Sequence, residues 1–565
     1  MQWSLSTQTI LDSSETLDPK ERHEKIRKRL DELEHEARAL KFCNNSLAPV
    51  NRIPPEILSN IFHYSYLLAQ ERDEDDWSFD PKPNYTWIWV THVCQRWREV
   101  GLRCPTLWAE SLSFEGLEFA EIALDRSRDA PLDIKCYAGT EKKLPGLRKA
   151  LAQMHRVRSL TLFDIDSDPE PFKALLQSND LSGAAPILEE LELHFPSYQA
   201  PAMDMPENLL GGGAPNLRRL VLSSFRLPNW PLIPLGEKLV YLDLSNVPHA
   251  PRPTFPEFRS SIGRMVLLKT LKLSNLLPLD THPSQTASSS QPINFSSLEA
   301  LDLADNAAPI INTLRISQFS RSTRLRISIE DSLDEDLAED LAHQLFDILR
   351  RTWDARMQVP VWKLEFSQSS GTRGQGTNLL LWFKVKNASK LSQSPDLSLT
   401  FADSELDINQ FLFLVKDEVV LSQLRNLEVA DARQVTQDTW RTLFGRLHKL
   451  KTIVLNIWYI PELIAVLAQG PNAHHDLDAS EAHQPCFPAL TSLDFLQVNL
   501  KASPTILEEI LACLTVRSRC TVAPLKTTYI GGCDYTEQED IDRIREACPD
   551  LHVIWGDEFS SDEDE

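Results

Sequence analysis

Leu217-Arg-Arg-Leu-Val-Leu222, Leu239-Val-Tyr-Leu-Asp-Leu244, Leu268-Lys-Thr-Leu-Lys-Leu273 and Leu298-Glu-Ala-Leu-Asp-Leu303 share one pattern, Leu-x-x-Leu-x-Leu. Two further copies precede them, Val157-Arg-Ser-Leu-Thr-Leu162 and Leu188-Glu-Glu-Leu-Glu-Leu193. Three follow: Leu424-Arg-Asn-Leu-Glu-Val429, Leu450-Lys-Thr-Ile-Val-Leu455 and Leu490-Thr-Ser-Leu-Asp-Phe495. The first six begin 31, 29, 22, 29 and 30 residues apart. One copy would mean nothing, but nine at such spacing predict a stack of similar units. The last two apolar residues of each copy flank one polar residue, as in a strand with one face on a core and the other in solvent. A unit this small cannot bury its own apolar face, so neighbours must stack, with their strands expected to run parallel.

The array resembles a leucine-rich-repeat solenoid, which implies an α/β horseshoe of parallel strands and helices. Only Leu298 to Asn306 carries Asn at the ninth position, while Asn246 and Asn275 fall one residue early, so an irregular array is expected. The spacing breaks down between 304 and 423. There a helix is predicted over Asp331–Arg351 from Leu337, Leu341, Leu345 and Leu349, and strands over 362–366 and 379–385, continuing the stack. Helix, turn and strand over 119–134 would open the array, and strands over 525–530 and 551–555 would close it. Exposed loops are expected at 278–292, 367–378 and 469–485.

Upstream, Ile53-Pro-Pro-Glu-Ile-Leu58 leads to Ile61-Phe62, and Val93-Cys94, Trp97-Arg98 and Pro105-Thr-Leu-Trp108 follow. Prolines 54 and 55 suit the first turn of a helix, where a missing N–H costs nothing. Ile57 and Ile61, like Leu58 and Phe62, are four residues apart on that helix. A second helix is predicted to carry Val90, Val93, Cys94 and Trp97 on one face. These elements, in this order, resemble an F-box of the fungal F-box-like form. The resemblance implies a small helical unit docking a Skp-type adaptor, and through it a cullin, by Ile53, Pro54, Ile57, Leu58, Ile61 and Phe62. Val93, Cys94, Trp97, Leu107 and Trp108 would form its core. An acidic, aromatic insertion, 70–85, separates its helices.

The expected organisation is a mobile N terminus over 1–17, a charged amphipathic or coiled-coil helix over 18–43, the F-box-like unit over 47–110, repeats over 111–555 and an acidic disordered tail over 556–565. For the helix, packing beside the F-box is the favoured expectation.

Composition narrows the function classes. The 565 residues are 42% hydrophobic and 25% charged, a globular balance. A net charge of −23 opposes nucleic-acid or anionic-membrane binding. Nine scattered cysteines without a Cys-x-x-Cys pair suit reduced thiols in the cytoplasm or nucleus. No apolar run is long enough to span a bilayer. His474, His475, Asp476, Asp478, His483 and Cys486 lack the fixed spacing of a zinc site and read as a polar loop. Gly371 to Gly376 lacks the Gly-Lys-Ser/Thr ending of a phosphate loop. No catalytic residue, metal or cofactor is expected. Ser560 and Ser561 precede acidic residues, as acidophilic kinases prefer.

The expected function is substrate recognition for an SCF-type ubiquitin ligase, without intrinsic enzymatic activity. A protein target would lie on the polar strand positions Arg158, Ser159, Thr161, Glu190, Glu192, Arg218, Arg219, Tyr241, Asp243, Lys269, Lys272, Glu299 and Asp302. The alternative is a repeat-based interaction scaffold whose F-box is vestigial.

Overall fold

In the computed structural model, which describes residues 3–12, 18–73, 86–138, 140–164, 170–195, 203–211, 213–227, 230–245, 251–279, 292–371, 374–383, 394–469, 486–520, 523–533 and 536–556, prolines mark where many helices begin. Pro19, Pro55, Pro105, Pro461 and Pro504 each occupy the first position of a helix. The chain forms two units, residues 1–200 with 208–216, and residues 201–207 with 217–565.

The first unit opens with helices Leu5–Asp12 and Pro19–Leu47. The first stands where a mobile terminus was expected: Thr9 Oγ1 donates to the Leu5 carbonyl, and Arg29 donates to Ser4 Oγ and Thr7 Oγ1. The second continues past residue 43 and stops where Ala48, extended ahead of Pro49, cannot keep helical geometry. It buries none of its residues, and among the described residues it does not pack into the F-box-like segment as expected. Helices Pro55–Asp73, Val90–Val93, Gln95–Leu102, Pro105–Glu110 and Leu117–Ser127 follow. The predicted second helix is broken at Cys94, whose backbone is extended. Strands β1 (Leu132–Tyr137), β2 (Val157–Phe163) and β3 (Glu190–His194) then alternate with helices Leu144–Leu151 and Glu170–Gln177. Ile134, Leu160 and Leu191 are in register, as are Cys136, Leu162 and Leu193, and all six are buried.

The second unit repeats this plan. Two short parallel pairs stand apart from its main sheet: β4 (Met203–Asp204) with β6 (Phe225–Arg226), and β9 (Ile293–Phe295) with β11 (Ser317–Phe319). The main sheet comprises β5 (Arg219–Ser223), β7 (Tyr241–Ser245), β8 (Thr270–Ser274), β10 (Ala300–Asp305), β12 (Arg324–Leu333), β13 (Val361–Gly371), β14 (Gly374–Phe383), β15 (Leu397–Ser404), β16 (Asn426–Val429), β17 (Thr452–Asn456), β18 (Ser492–Leu496), β19 (Thr527–Gly531) and β20 (His552–Trp555). The last two apolar residues of successive motifs lie side by side: Leu220, Leu242, Leu271, Leu301 and Leu325 form one row, and Leu222, Leu244, Leu273, Leu303 and Ile327 another. The first leucine of each motif in this unit is buried as well.

Two expectations fail here. The strands are not all parallel: β14 runs antiparallel to both β13 and β15. The segment expected as a loop over 367–378 instead belongs largely to the β13–β14 hairpin, with Gly371 opposite Gly374. The apolar rows continue through the reversed strand, because Leu379 and Leu381 pair with Leu399 and Leu397 on one side and Phe366 and Leu364 on the other. Burial therefore fixes side-chain alternation without fixing strand direction. Within helix Glu335–Thr352, Leu341, Leu345 and Leu349 are buried but Leu337 is exposed. At the predicted asparagine position Asn306 is exposed, and the preceding Asp305 is the buried residue.

Candidate functional site

Helix Pro55–Asp73 has two apolar faces. Leu58, Phe62 and Tyr66 recur four apart and are buried, whereas Ile57, Ile61, Tyr64 and Leu68 recur at spacings of four, three and four on the exposed side. Ile57 remains 50% exposed and Ile61 40%. Of the residues expected to meet an adaptor, Pro54, Ile57 and Ile61 are therefore outside and Ile53 is half-buried, but Leu58 and Phe62 are core. One helix cannot turn residues at i and i+1 to the same partner, and Leu58 and Phe62 fill the inner face.

The core beneath is aromatic. Phe62 packs on Trp97, Trp87 meets Trp108 edge-on at 5.0 Å, and Arg126 lies 4.6 Å above the Trp108 ring. Polar edges of these rings are satisfied: Trp97 Nε1 donates to Asn51 Oδ1, Trp108 Nε1 to the Gly101 carbonyl and Tyr66 Oη to the Glu110 carbonyl. Arg96 donates to the Ile53 carbonyl at 2.6 Å, tying the entry of helix Pro55–Asp73 to Gln95–Leu102. The backbone at Gly101 packs closely, as a Cβ there would stand 3.2 Å from Thr91 Cγ2. Leu107 and Trp108 are buried, and Trp97 and Cys94 are half-buried. Val93 is not core: the break at Cys94 turns it outward, and together with Trp89 it adds exposed apolar surface on the adjoining turn.

Glu110 links this core to the strands of the same unit. Its Oε2 lies 3.0 Å from His63 Nδ1 and its Oε1 3.4 Å from Arg158. Burial pushes the Glu110 carboxyl up, opposed by the His63 charge, with Asp133 raising it further and Arg158 lowering it. Arg158 also donates through Nε to Asp133 Oδ1 at 2.9 Å, and these partners hold its guanidinium proton more firmly than usual.

The other expected target-binding residues are largely engaged with one another. Ser159 donates to Glu190, and Glu192 lies 3.3 Å from His194 Nε2. In the second unit Arg219 lies 3.7 Å above the Tyr241 ring, Tyr241 Oη donates to Asp243, and Lys272 pairs with Asp243 at 3.3 Å. Lys269 pairs with Glu299 at 2.8 Å and Asp302 with Arg326 at 3.3 Å. Arg218 is exposed and Thr161 half-buried. Strand faces thus carry ladders of complementary cross-strand pairs, the usual way a solvated sheet face is stabilised. Lys363, paired with Glu428 at 2.8 Å, extends this ladder beyond the regular motifs.

A feature absent from the sequence expectations is an aromatic stack in the first unit. Tyr137 and Phe163 lie 5.0 Å apart and Phe163 and His194 4.7 Å, with nearly parallel rings. The signal was present: Phe163 and His194 each directly follow the last leucine of a motif, and register aligns them with Tyr137.

His474, His475, Asp476, Asp478 and His483, the serines Ser560 and Ser561 and the acidic tail over 557–565 lie outside the described residues. Among the described residues no cluster of His, Cys, Asp or Glu is arranged to hold a metal ion, and no helix is long and apolar enough to cross a membrane.

No family model matches the chain, and no curated protein matches it. Among solved structures it is similar to a chain in "Crystal structure of Rad7 and Elc1 complex in yeast", at 15% identity over 74% of this chain and 84% of that one, with a TM-score of 0.21. A score that low supports no conclusion about this chain. The chain's own geometry describes a mixed α/β protein with a largely parallel sheet in which strand and helix units recur, as in a repeat solenoid.

Proposed function

We propose that this chain is a substrate-recognition subunit of an SCF-type ubiquitin ligase, its F-box-like helices docking a Skp-type adaptor and its repeats holding a protein target. The observation that carries the reading is the second apolar face of Pro55–Asp73. Ile57, Ile61, Tyr64 and Leu68 stay exposed although the same helix already has a full inner face. Small units keep such surface for a partner. Trp89 and Val93 would widen the contact, and large exposed aromatics are the residues that anchor interfaces.

The mechanism is positioning. Adaptor and cullin would bring the transfer chemistry, and this chain would raise the local concentration of a bound target beside them. No catalytic residue is assigned to it. The cytoplasm and nucleus are the compartments that suit nine cysteines without a disulfide. Target contacts fall to the strand ladders and the Tyr137–Phe163–His194 stack, where mixed charge and flat aromatic surface favour a peptide or protein.

The test is reconstitution of the full chain with a Skp-type adaptor and a cullin amino-terminal fragment. A stable ternary complex on gel filtration supports the ligase reading. Failure of a folded chain to join it leaves the scaffold alternative.

A further inference from the structure

Helix Pro19–Leu47 has 29 residues and buries none of them. Helical stability in proteins comes mostly from packing an amphipathic face, so a helix of this length with a bare apolar seam lacks its counterpart. The seam has coiled-coil spacing. Ile26, Leu33, Leu40 and Leu47 recur every seven residues as d positions, with Leu30, Ala37 and Asn44 as a positions between them. Leu30 is 57%, Leu40 71% and Leu47 68% exposed. Helix Leu5–Asp12 lies against the flank at Arg29, through Ser4 and Thr7, and leaves Ile26 and Leu33 each 37% exposed.

We infer that this seam is the interface of a parallel two-stranded coiled coil with a second copy of the same chain. The flanking charges select that occupant. In a parallel, in-register pair Glu36 faces Lys41 of the other copy and Arg29 faces its Glu34, each contact occurring twice, against one repulsive type, Arg22 with Arg27. Among the described residues Lys41 makes no ion pair within its own chain, whereas Arg29 is held by Glu32 at 3.0 Å and reaches Glu36 only at 3.6 Å, so Glu36–Lys41 is the stronger new contact. Asn44 then meets Asn44, and a single asparagine at an a position fixes register and parallel orientation at some cost in stability. In the antiparallel arrangement centred on Leu30 and Leu33, Arg27 would face Glu34 and Arg29 Glu36, but Lys20 would face Lys41 and Asn44 would lie opposite Pro19 at the partner's first helical position, so the asparagine pairing selects the parallel form. The dimer is independent of adaptor docking, which uses a different helix.

Light scattering of the full chain over micromolar concentrations tests this. The inference predicts a particle of twice the 64.3 kDa chain mass. Leu33→Glu with Leu40→Glu should give the monomer while adaptor capture and the thermal transition of the remainder persist. Glu36→Lys should weaken self-association about tenfold, and adding Lys41→Glu should restore it. Restoration separates a specific pairing from damaged folding. In a Cys43→Ser background, Leu40→Cys should form an intermolecular disulfide on oxidation. A wild-type monomer at every concentration, an unchanged mass for the double leucine variant, or no restoration by the charge swap would overturn the dimer. Absence of the Leu40→Cys crosslink in a proven dimer would overturn its parallel register.

Discussion

Phe62 and Trp97 pack with ring centroids 5.2 Å apart and planes at 52°, while the Trp97 indole donates to Asn51 Oδ1 at 2.9 Å. The pair joins helices Pro55–Asp73 and Gln95–Leu102. Phe62→Ala is expected to destabilise the first unit by about 3–5 kcal/mol, because a fully buried ring leaves a cavity in a small core. Trp97→Phe keeps most of the packing but strands Asn51, and should cost about 1–3 kcal/mol. Urea midpoints of both variants, followed by tryptophan fluorescence and circular dichroism, check this ordering.

In the second unit Asp305 is wholly buried, pairing with Arg252 at 2.7 Å and accepting the Leu277 amide at 3.0 Å. Removing one partner of such a pair leaves an uncompensated charge. Asp305→Ala should therefore cost about 3–5 kcal/mol, and Asp305→Asn less, since an amide oxygen can still accept from Leu277. Calorimetric melting should rank wild type above Asp305→Asn above Asp305→Ala.

Burial pushes the Glu365 carboxyl up, the Glu428 charge adds to this, and Lys363 opposes it. A carboxyl that holds its proton more firmly when folded favours the native state at low pH. That contribution is lost as pH rises from the ordinary value of 4.5 through the raised native value. Glu365→Gln should consequently stabilise the protein near neutral pH and remove one acid-range component of its stability profile. Urea midpoints across pH 4 to 7, wild type against variant, measure both effects; destabilisation at neutral pH would contradict the assignment.

Cys43 is exposed, whereas Cys104, Cys136, Cys513, Cys520 and Cys548 are buried, and burial pushes the Cys513 thiol up to about 12. Only the thiolate reacts with alkylating reagents. Brief iodoacetamide treatment of the native chain should modify Cys43 and spare Cys513 until denaturant is added, as read by peptide mass spectrometry.

The repeats were legible because one spacing carried both alternation and burial: Leu220 and Leu222 predict their neighbours Leu242 and Leu244 without any tertiary information. The reversal of β14 was not, since Leu379 and Leu381 present the same alternation whichever way the strand runs. In the helical unit the sequence identifies Ile57, Leu58, Ile61 and Phe62 as two i,i+4 pairs but does not say which pair faces inward. Trp97 and Trp108 settle it, and they are 35 or more residues away along the chain. Cys94 looked like an interior helix residue, yet its extended backbone ends one helix and starts the next, turning Val93 out. The pairing within the strand ladders is likewise hidden in the sequence: only register places Lys272 beside Asp243.

The outer face of Pro55–Asp73 is the proposed docking surface for a Skp-type adaptor. Isothermal titration of a Skp-type adaptor into the full chain, wild type against Ile57→Asp with Ile61→Asp, tests it most directly, with circular dichroism confirming that both are folded. The wild type is expected to bind and the variant to lose about a hundredfold or more in affinity, the size expected for central apolar contacts. No binding by the folded wild type, or equal affinity for the variant, would contradict it.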